Sequence, residues 1–141
     1  SGLLAALAAR PDIVKIGRGE VVESGLASAD ASAAEAAVAL IDHGAQLAVV
    51  TDGADEVAAA TARTIWRLGV PRIEALNPVG SGDSFNAALS LALMDGADVT
   101  AALVKGVAAG SANALTKSAG SLDPMVASAL EDEVTVSTEE R

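Results

Sequence analysis

The chain has 141 residues, 51% of them hydrophobic, a formal net charge of −10 and no cysteine. That length suits one domain; the acidic balance repels a phosphate backbone and argues against nucleic acid as a partner, and without Cys there is no disulfide, thiolate metal site or cysteine nucleophile. Trp66 and Phe85 are the only aromatic residues, so the core must be built from Ala, Val, Leu and Ile.

In chain order, the spacing predicts a helix over 3–10 that Pro11 ends, because the proline ring clashes with the preceding turn. This apolar stretch is interrupted by Arg10 and Pro11 and carries no basic leader, so it reads as neither a signal peptide nor a membrane span. A cytoplasmic protein without a membrane partner is the expectation, and the missing cysteines agree with a reducing compartment. Residues 12–16 (DIVKI) form a β-branched run between Pro11 and Gly17, read as a strand buried on both faces. A loop with Gly17 and Gly19 follows. Asp30 or Ser32 then caps a helix through Ala34, Ala37, Val38 and Ile41, stopped by Gly44 with His43 in its last turn. Residues 46–51 (QLAVVT) read as the next buried strand. Strand, helix and strand in this order make a right-handed parallel unit, and the fold class is therefore α/β.

Three short runs, 57–62, 64–68 and 72–76, are separated by turn signals and suggest antiparallel strands flanking the sheet. Helices are expected over 84–94, 100–116 and 124–130, with a terminal strand over 134–136 before a charged end. No internal repeat or linker interrupts the chain.

The stretch from Asn77 to Asn86 carries the chemistry. Gly80 and Gly82 flank Ser81 just before a helix, where glycine lets successive backbone N–H groups turn toward one point and the helix dipole adds positive potential. Phosphate oxygens can bind there without a lysine. Asp83 sits in the first helical turn, which favours its carboxylate form beside bound phosphates, where a base is needed. The blander reading of the same residues is a tight turn followed by a helix-start aspartate.

These residues resemble the ribokinase-like carbohydrate kinases of the phosphofructokinase B type. Asn77-Pro-Val-Gly-Ser-Gly-Asp-Ser-Phe85 is similar to the family's glycine-rich signature, and the resemblance implies that Gly80, Ser81, Gly82 and Asp83 form the anion hole and supply the catalytic base. Val49-Val-Thr-Asp-Gly53 resembles the strand end that approaches the nucleotide phosphates, which implies roles for Thr51 and Gly53; Glu56 stands where a second glycine is expected. Val14-Lys-Ile-Gly-Arg-Gly-Glu20 resembles a Lys-Pro-Asn-x-x-Glu segment, implying that Glu20 helps position Mg²⁺, although Ile16 and Gly17 replace Pro and Asn. Gly106 to Thr116 resembles the helix walling the adenine pocket, with Ala109, Gly110 and Asn113 as pocket residues.

The resemblance implies a ribokinase-like fold with a mixed, mainly parallel sheet and flanking helices. It covers nearly the whole chain but only the family's C-terminal, nucleotide-binding half, so residues 1–141 are expected to be one such portion, lacking the N-terminal sugar-binding half and lid. The implied activity is transfer of phosphate from ATP, with Mg²⁺, to a primary hydroxyl of fructose-6-phosphate, fructose-1-phosphate or tagatose-6-phosphate. The partners would be the sugar phosphate and either a second copy or a complementing N-terminal half. Two other readings stay open: an inactive nucleotide-binding fragment, and an interaction module whose sheet edge pairs with another chain. A dinucleotide oxidoreductase fits poorly, since GxGxxG is lacking and no acidic residue ends a following strand.

Overall fold

The computed structural model describes residues 2–53, 56–71, 81–115 and 123–141. They form two compact units, Ser1–Leu68 with Ser137–Arg141, and Gly69–Val136. The expected strand over 72–76, Gly80 and the end of the helix expected to reach Thr116 lie outside the described residues.

The first unit begins with α1 (Gly2–Ala8), β1 (Ile13–Gly17), α2 (Arg18–Glu23), α3 (Ala33–Asp42) and β2 (Leu47–Asp52), followed by β3 (Glu56–Ala60) and β4 (Thr64–Gly69). With β5 (Thr135–Glu140) the strands make one sheet in the order β1-β2-β3-β4-β5. β1 and β2 are parallel, with Gly17 opposite Thr51, and β2 and β3 are antiparallel, with Asp52 opposite Glu56. Residues 61–63 join β3 to β4, a connection short enough only for antiparallel neighbours. Arg63 meets Arg141 at one end of β4 and Gly69 meets Thr135 at the other, so β5 also runs antiparallel. The sheet is mixed as expected, but its parallel share among the described pairs is smaller than the resemblance implies, because the chain turns back directly after β2.

α3 forms where the sequence places it. Ser32, not Asp30, is its N-cap: the Ser32 side chain accepts from the Glu35 amide, and the Glu35 carboxylate accepts from the Ser32 amide. This reciprocal pair satisfies two amides that the first turn leaves open. The helix buries Ala33, Ala34, Ala36, Ala37 and Leu40 in a core with Ala48 and Val50 of β2 and Ala58 and Ala60 of β3. Alanine on both sides brings helix and sheet close, and completely buried Leu40 and Val50 each contribute about 1.5–3 kcal/mol. At the far end Gly44 has φ +127°, and a Cβ there would run into the Leu7 carbonyl. The helix stop is thus a position only glycine fits.

Two expectations change here. β1 is exposed or half-exposed throughout, not buried on both faces, because it is an edge of the described sheet. The glycine loop expected after it is the short helix α2, with Gly17 as N-cap and no side-chain cap bond.

The second unit holds α4 (Ser81–Met94), α5 (Val99–Ala114) and α6 (Pro124–Glu131). α5 is its centre: from Gly106 to Ala114 every residue is buried, and Asp98 caps it by accepting from the Ala101 amide at 2.7 Å. Gly106 and Gly110, one turn apart, face α4; a Cβ on Gly106 would lie 2.9 Å from the Phe85 ring, and one on Gly110 would lie 3.1 Å from the Ser81 carbonyl. The missing side chains let the two helices approach. Leu130 of α6 packs with Ala108 and Ala112 on another part of α5.

Candidate functional site

In the second unit α4 begins at Ser81, so its first turn contains Ser81, Gly82 and Asp83, three residues earlier than the sequence pattern suggests. Asp83 is exposed and Ser81 is half-buried. The amides of a helix's first turn have no partner within the helix, so this end presents donors together with the positive end of the dipole. Its placement depends on α5: completely buried Asn113 donates through Nδ2 to Ser81 Oγ at 3.4 Å, and Gly110 passes beneath the Ser81 carbonyl. Of the three residues expected to wall an adenine pocket, Ala109 lines an open groove of about 930 Å³ that also holds Asp83, Leu91 and Lys105. Gly110 and Asn113 are buried against the start of α4 instead. The Lys105 ammonium in that groove is paired with Glu131 at 3.3 Å.

In the first unit Glu20, Thr51 and Gly53 are gathered at one end of the sheet. Register does this: Gly17 opposite Thr51 brings the start of α2 beside the carboxyl end of β2. In open α/β sheets the crevice outside the carboxyl ends of parallel strands is where ligands bind. Thr51 is half-buried, and Gly53 is exposed in the left-handed region at φ +61°. Glu20 is exposed in the first turn of α2, and its Oε1 lies 3.7 Å from where a Cβ on Gly17 would stand. The sequence pattern missed Arg18 and Asp52, which form an ion pair at 3.5 Å between these residues. Arg18 Nη1 also donates to the carbonyls of Ala29 and Ala31, at 3.0 and 3.2 Å. Nearby, the Ser28 hydroxyl donates to Asp30 at 2.8 Å; that bond, with one from Asp30's own backbone, holds the carboxyl below its ordinary value.

A groove of this unit, about 790 Å³, is lined by Leu7, Arg10, His43, Gly44 and Arg63 and contains none of the expected site residues. His43 is the C-cap of α3, and its Nδ1 donates to the Ala39 carbonyl at 2.8 Å. Trp66 is buried, and Arg63 and Arg67 are exposed.

Comparison with known proteins decides the family. A model of the pfkB family of carbohydrate kinases matches residues 2–125. The chain belongs to that family. A Staphylococcus aureus protein assigned as a phosphofructokinase superposes with a TM-score of 0.86 at 24% identity, over 97% of this chain and 45% of that one. Escherichia coli phosphofructokinase-2, in complex with potassium, gives 0.82 at 26% identity, over 93% of this chain and 44% of its own. Ribokinase from Thermotoga maritima gives 0.74 at 19%, over 86% and 42%, and establishes likeness of fold. The five-stranded mixed sheet with its helices is thus ribokinase-like. The chain spans less than half the length of each of these pfkB-type and ribokinase relatives. Among the described residues no helix is long and apolar enough to cross a membrane.

Proposed function

We propose that this chain is the nucleotide-binding portion of a cytoplasmic, ATP-dependent sugar-phosphate kinase, with fructose-6-phosphate, fructose-1-phosphate or tagatose-6-phosphate as acceptor. The observation that carries this reading is an exposed aspartate, Asp83, in the first turn of a 14-residue helix that begins at Ser81, beside an open groove. Phosphoryl transfer asks a protein mainly for positioning and charge stabilisation, and a helix start with a carboxylate offers both.

In this reading Asp83 takes the proton of the acceptor's primary hydroxyl as that oxygen attacks the γ-phosphorus of ATP, and ADP leaves with the former bridging oxygen. The backbone N–H groups of Gly80 to Asp83 hold the charge that develops on the transferred group. Thr51 and Gly53 approach the nucleotide phosphates, where a residue without a Cβ in the left-handed region allows close backbone contact. Ala109 lines the adenine side, and Gly110 and Asn113 act behind it by fixing Ser81. Mg²⁺ is commonly held by one or two carboxylates together with substrate phosphates, and exposed Glu20 suits that requirement. Bound there, the ion would neutralise phosphate charge.

Calorimetric titration of the chain with Mg·ATP, followed by transfer assays on the three sugar phosphates, tests the proposal. Asp83→Asn should lower kcat by roughly 10²–10⁴-fold and leave Mg·ATP affinity nearly unchanged, as befits a general base. Equal loss of affinity and turnover would remove Asp83 from that role. The span of 45% of a relative's length favours a second reading, a nucleotide-binding fragment or interaction module that needs a second copy or a complementing N-terminal half. Mg·ATP binding with no turnover, and turnover restored on adding that half, would select it.

A further inference from the structure

We propose that Arg18 is a positioning residue of the nucleotide site, one that cancels the charge of Asp52 and ties the end of β2 to the segment before α3. This rests on the kinase reading above, in which Thr51 and Gly53 meet the phosphates.

Three observations lead to it. The Arg18 guanidinium reaches three stretches of chain at once: it starts α2, pairs through Nε with Asp52 Oδ2 at 3.5 Å, and donates through Nη1 to the carbonyls of Ala29 and Ala31. Asp52 lies between Thr51 and Gly53, so whatever fixes its side chain acts on the backbone of both. Finally, Asp52 stands directly opposite Glu56 in the β2–β3 ladder, which sets two carboxylates on one face at the strand end. Like charges in that relation repel each other, and they would repel a triphosphate approaching Thr51 and Gly53.

Glu56 occupies the place where the family resemblance leads one to expect glycine. Glu56 thus adds a carboxylate beside Asp52, and Arg18 offsets the Asp52 charge of that pair. The side chain of Arg18 is 28% exposed, so its pairing is screened less than a fully solvated one. Arginine suits the task because its planar fork presents several donors in fixed directions, which an ammonium does not.

The proposal separates from a merely structural brace through rescue. Arg18→Gln should weaken Mg·ATP binding about ten-fold at low salt, with a smaller loss at 0.5 M NaCl, because an uncompensated Asp52 charge then faces the phosphates. Asp52→Asn alone leaves the Arg18 charge in place and should bind Mg·ATP more tightly than the parent chain at low salt, and Arg18→Gln with Asp52→Asn should recover most of the lost affinity. Failure of the second substitution to rescue, or a defect insensitive to salt, would overturn the charge role.

Hydrogen exchange without nucleotide supplies the independent arm. Arg18→Gln should speed exchange at both 51–53 and 29–31, whereas Asp52→Asn should speed it at 51–53 only. Unchanged exchange at both segments would overturn the tether. If the parent chain binds no Mg·ATP while these exchange changes occur, the tether stands and the kinase reading falls.

Discussion

The two units of this chain use glycine for opposite purposes. In the first, Gly44 and Gly53 have positive φ and allow the backbone to turn where a side chain would be strained. In the second, Gly106 and Gly110 lie within a regular helix, and there the missing Cβ allows close approach of α4. The difference bears on the site. At the carboxyl end of β2 the candidate residues are held by register and an ion pair, whereas the start of α4 is held by contact with a helix of small residues.

Substitution at Gly44 is the most severe way to probe this contrast. Alanine there combines a strained φ of +127° with a collision against the Leu7 carbonyl, so Gly44→Ala should cost about 3 kcal/mol or more. Chemical denaturation measures the loss, and hydrogen exchange should localise it to α1, α3 and β2 first. A cost below about 1 kcal/mol would mean that the turn relaxes freely.

Gly106→Ala asks the matching question of the second unit and should cost less. The new methyl would crowd the Phe85 ring at 2.9–3.0 Å, while alanine is about 1 kcal/mol better than glycine inside a helix. We expect a net loss of about 1–2 kcal/mol. Phe85→Leu should be destabilising in the parent chain but much less so when combined with Gly106→Ala, and this coupling is what a double-mutant cycle reads. Additive effects would show that α4 is not set by this contact.

These glycines also show how far the sequence could be read. The arrest of α3 at Gly44 is legible in the sequence, as are the β1–β2 unit and the place of Asp83 in the first turn of a helix, since each depends on neighbours in sequence. The role of Gly106 depends on which face α5 turns to Phe85, and the Arg18–Asp52 pair depends on the register that sets Gly17 opposite Thr51. Neither is a local property. α2 escaped notice because its six residues include Gly19 and its N-cap has no side-chain bond. β5 reads from sequence as a three-residue strand with a charged end because Ser137 to Glu140 are polar and exposed; the neighbouring strand β4 makes them a strand.

Helix caps give a smaller and more even comparison. Ser32 and Asp98 each accept a backbone amide, at 3.0 and 2.7 Å, but only Ser32 belongs to a reciprocal box with a glutamate. Alanine at either position should cost about 1 kcal/mol, with Glu35→Ala adding a further few tenths in the first unit. Thermal melts of the three variants test that ranking. An equal penalty for Ser32→Ala with and without Glu35 would remove the reciprocal bond from the account.

The smallest effect should come from Arg67 and Glu139, which join β4 to β5 at 2.8 Å with side chains 44% and 57% exposed. Water screens such a pair, and ordering two long side chains offsets much of the attraction. Arg67→Ala should therefore change stability by less than about 0.5 kcal/mol, and the difference should vanish in 1 M NaCl. Arg141 differs in kind although it lies on the same strand pairing. Its backbone amide donates to the Arg63 carbonyl at 2.8 Å, and its side chain donates to the Thr61 carbonyl at 3.1 Å and pairs with Asp42 at 3.5 Å. Replacing Arg141 by alanine removes two partners and should exceed the Arg67 effect at every salt concentration. If the two variants were equal, the ladder alone would hold β5 and the charges along it would be ornament.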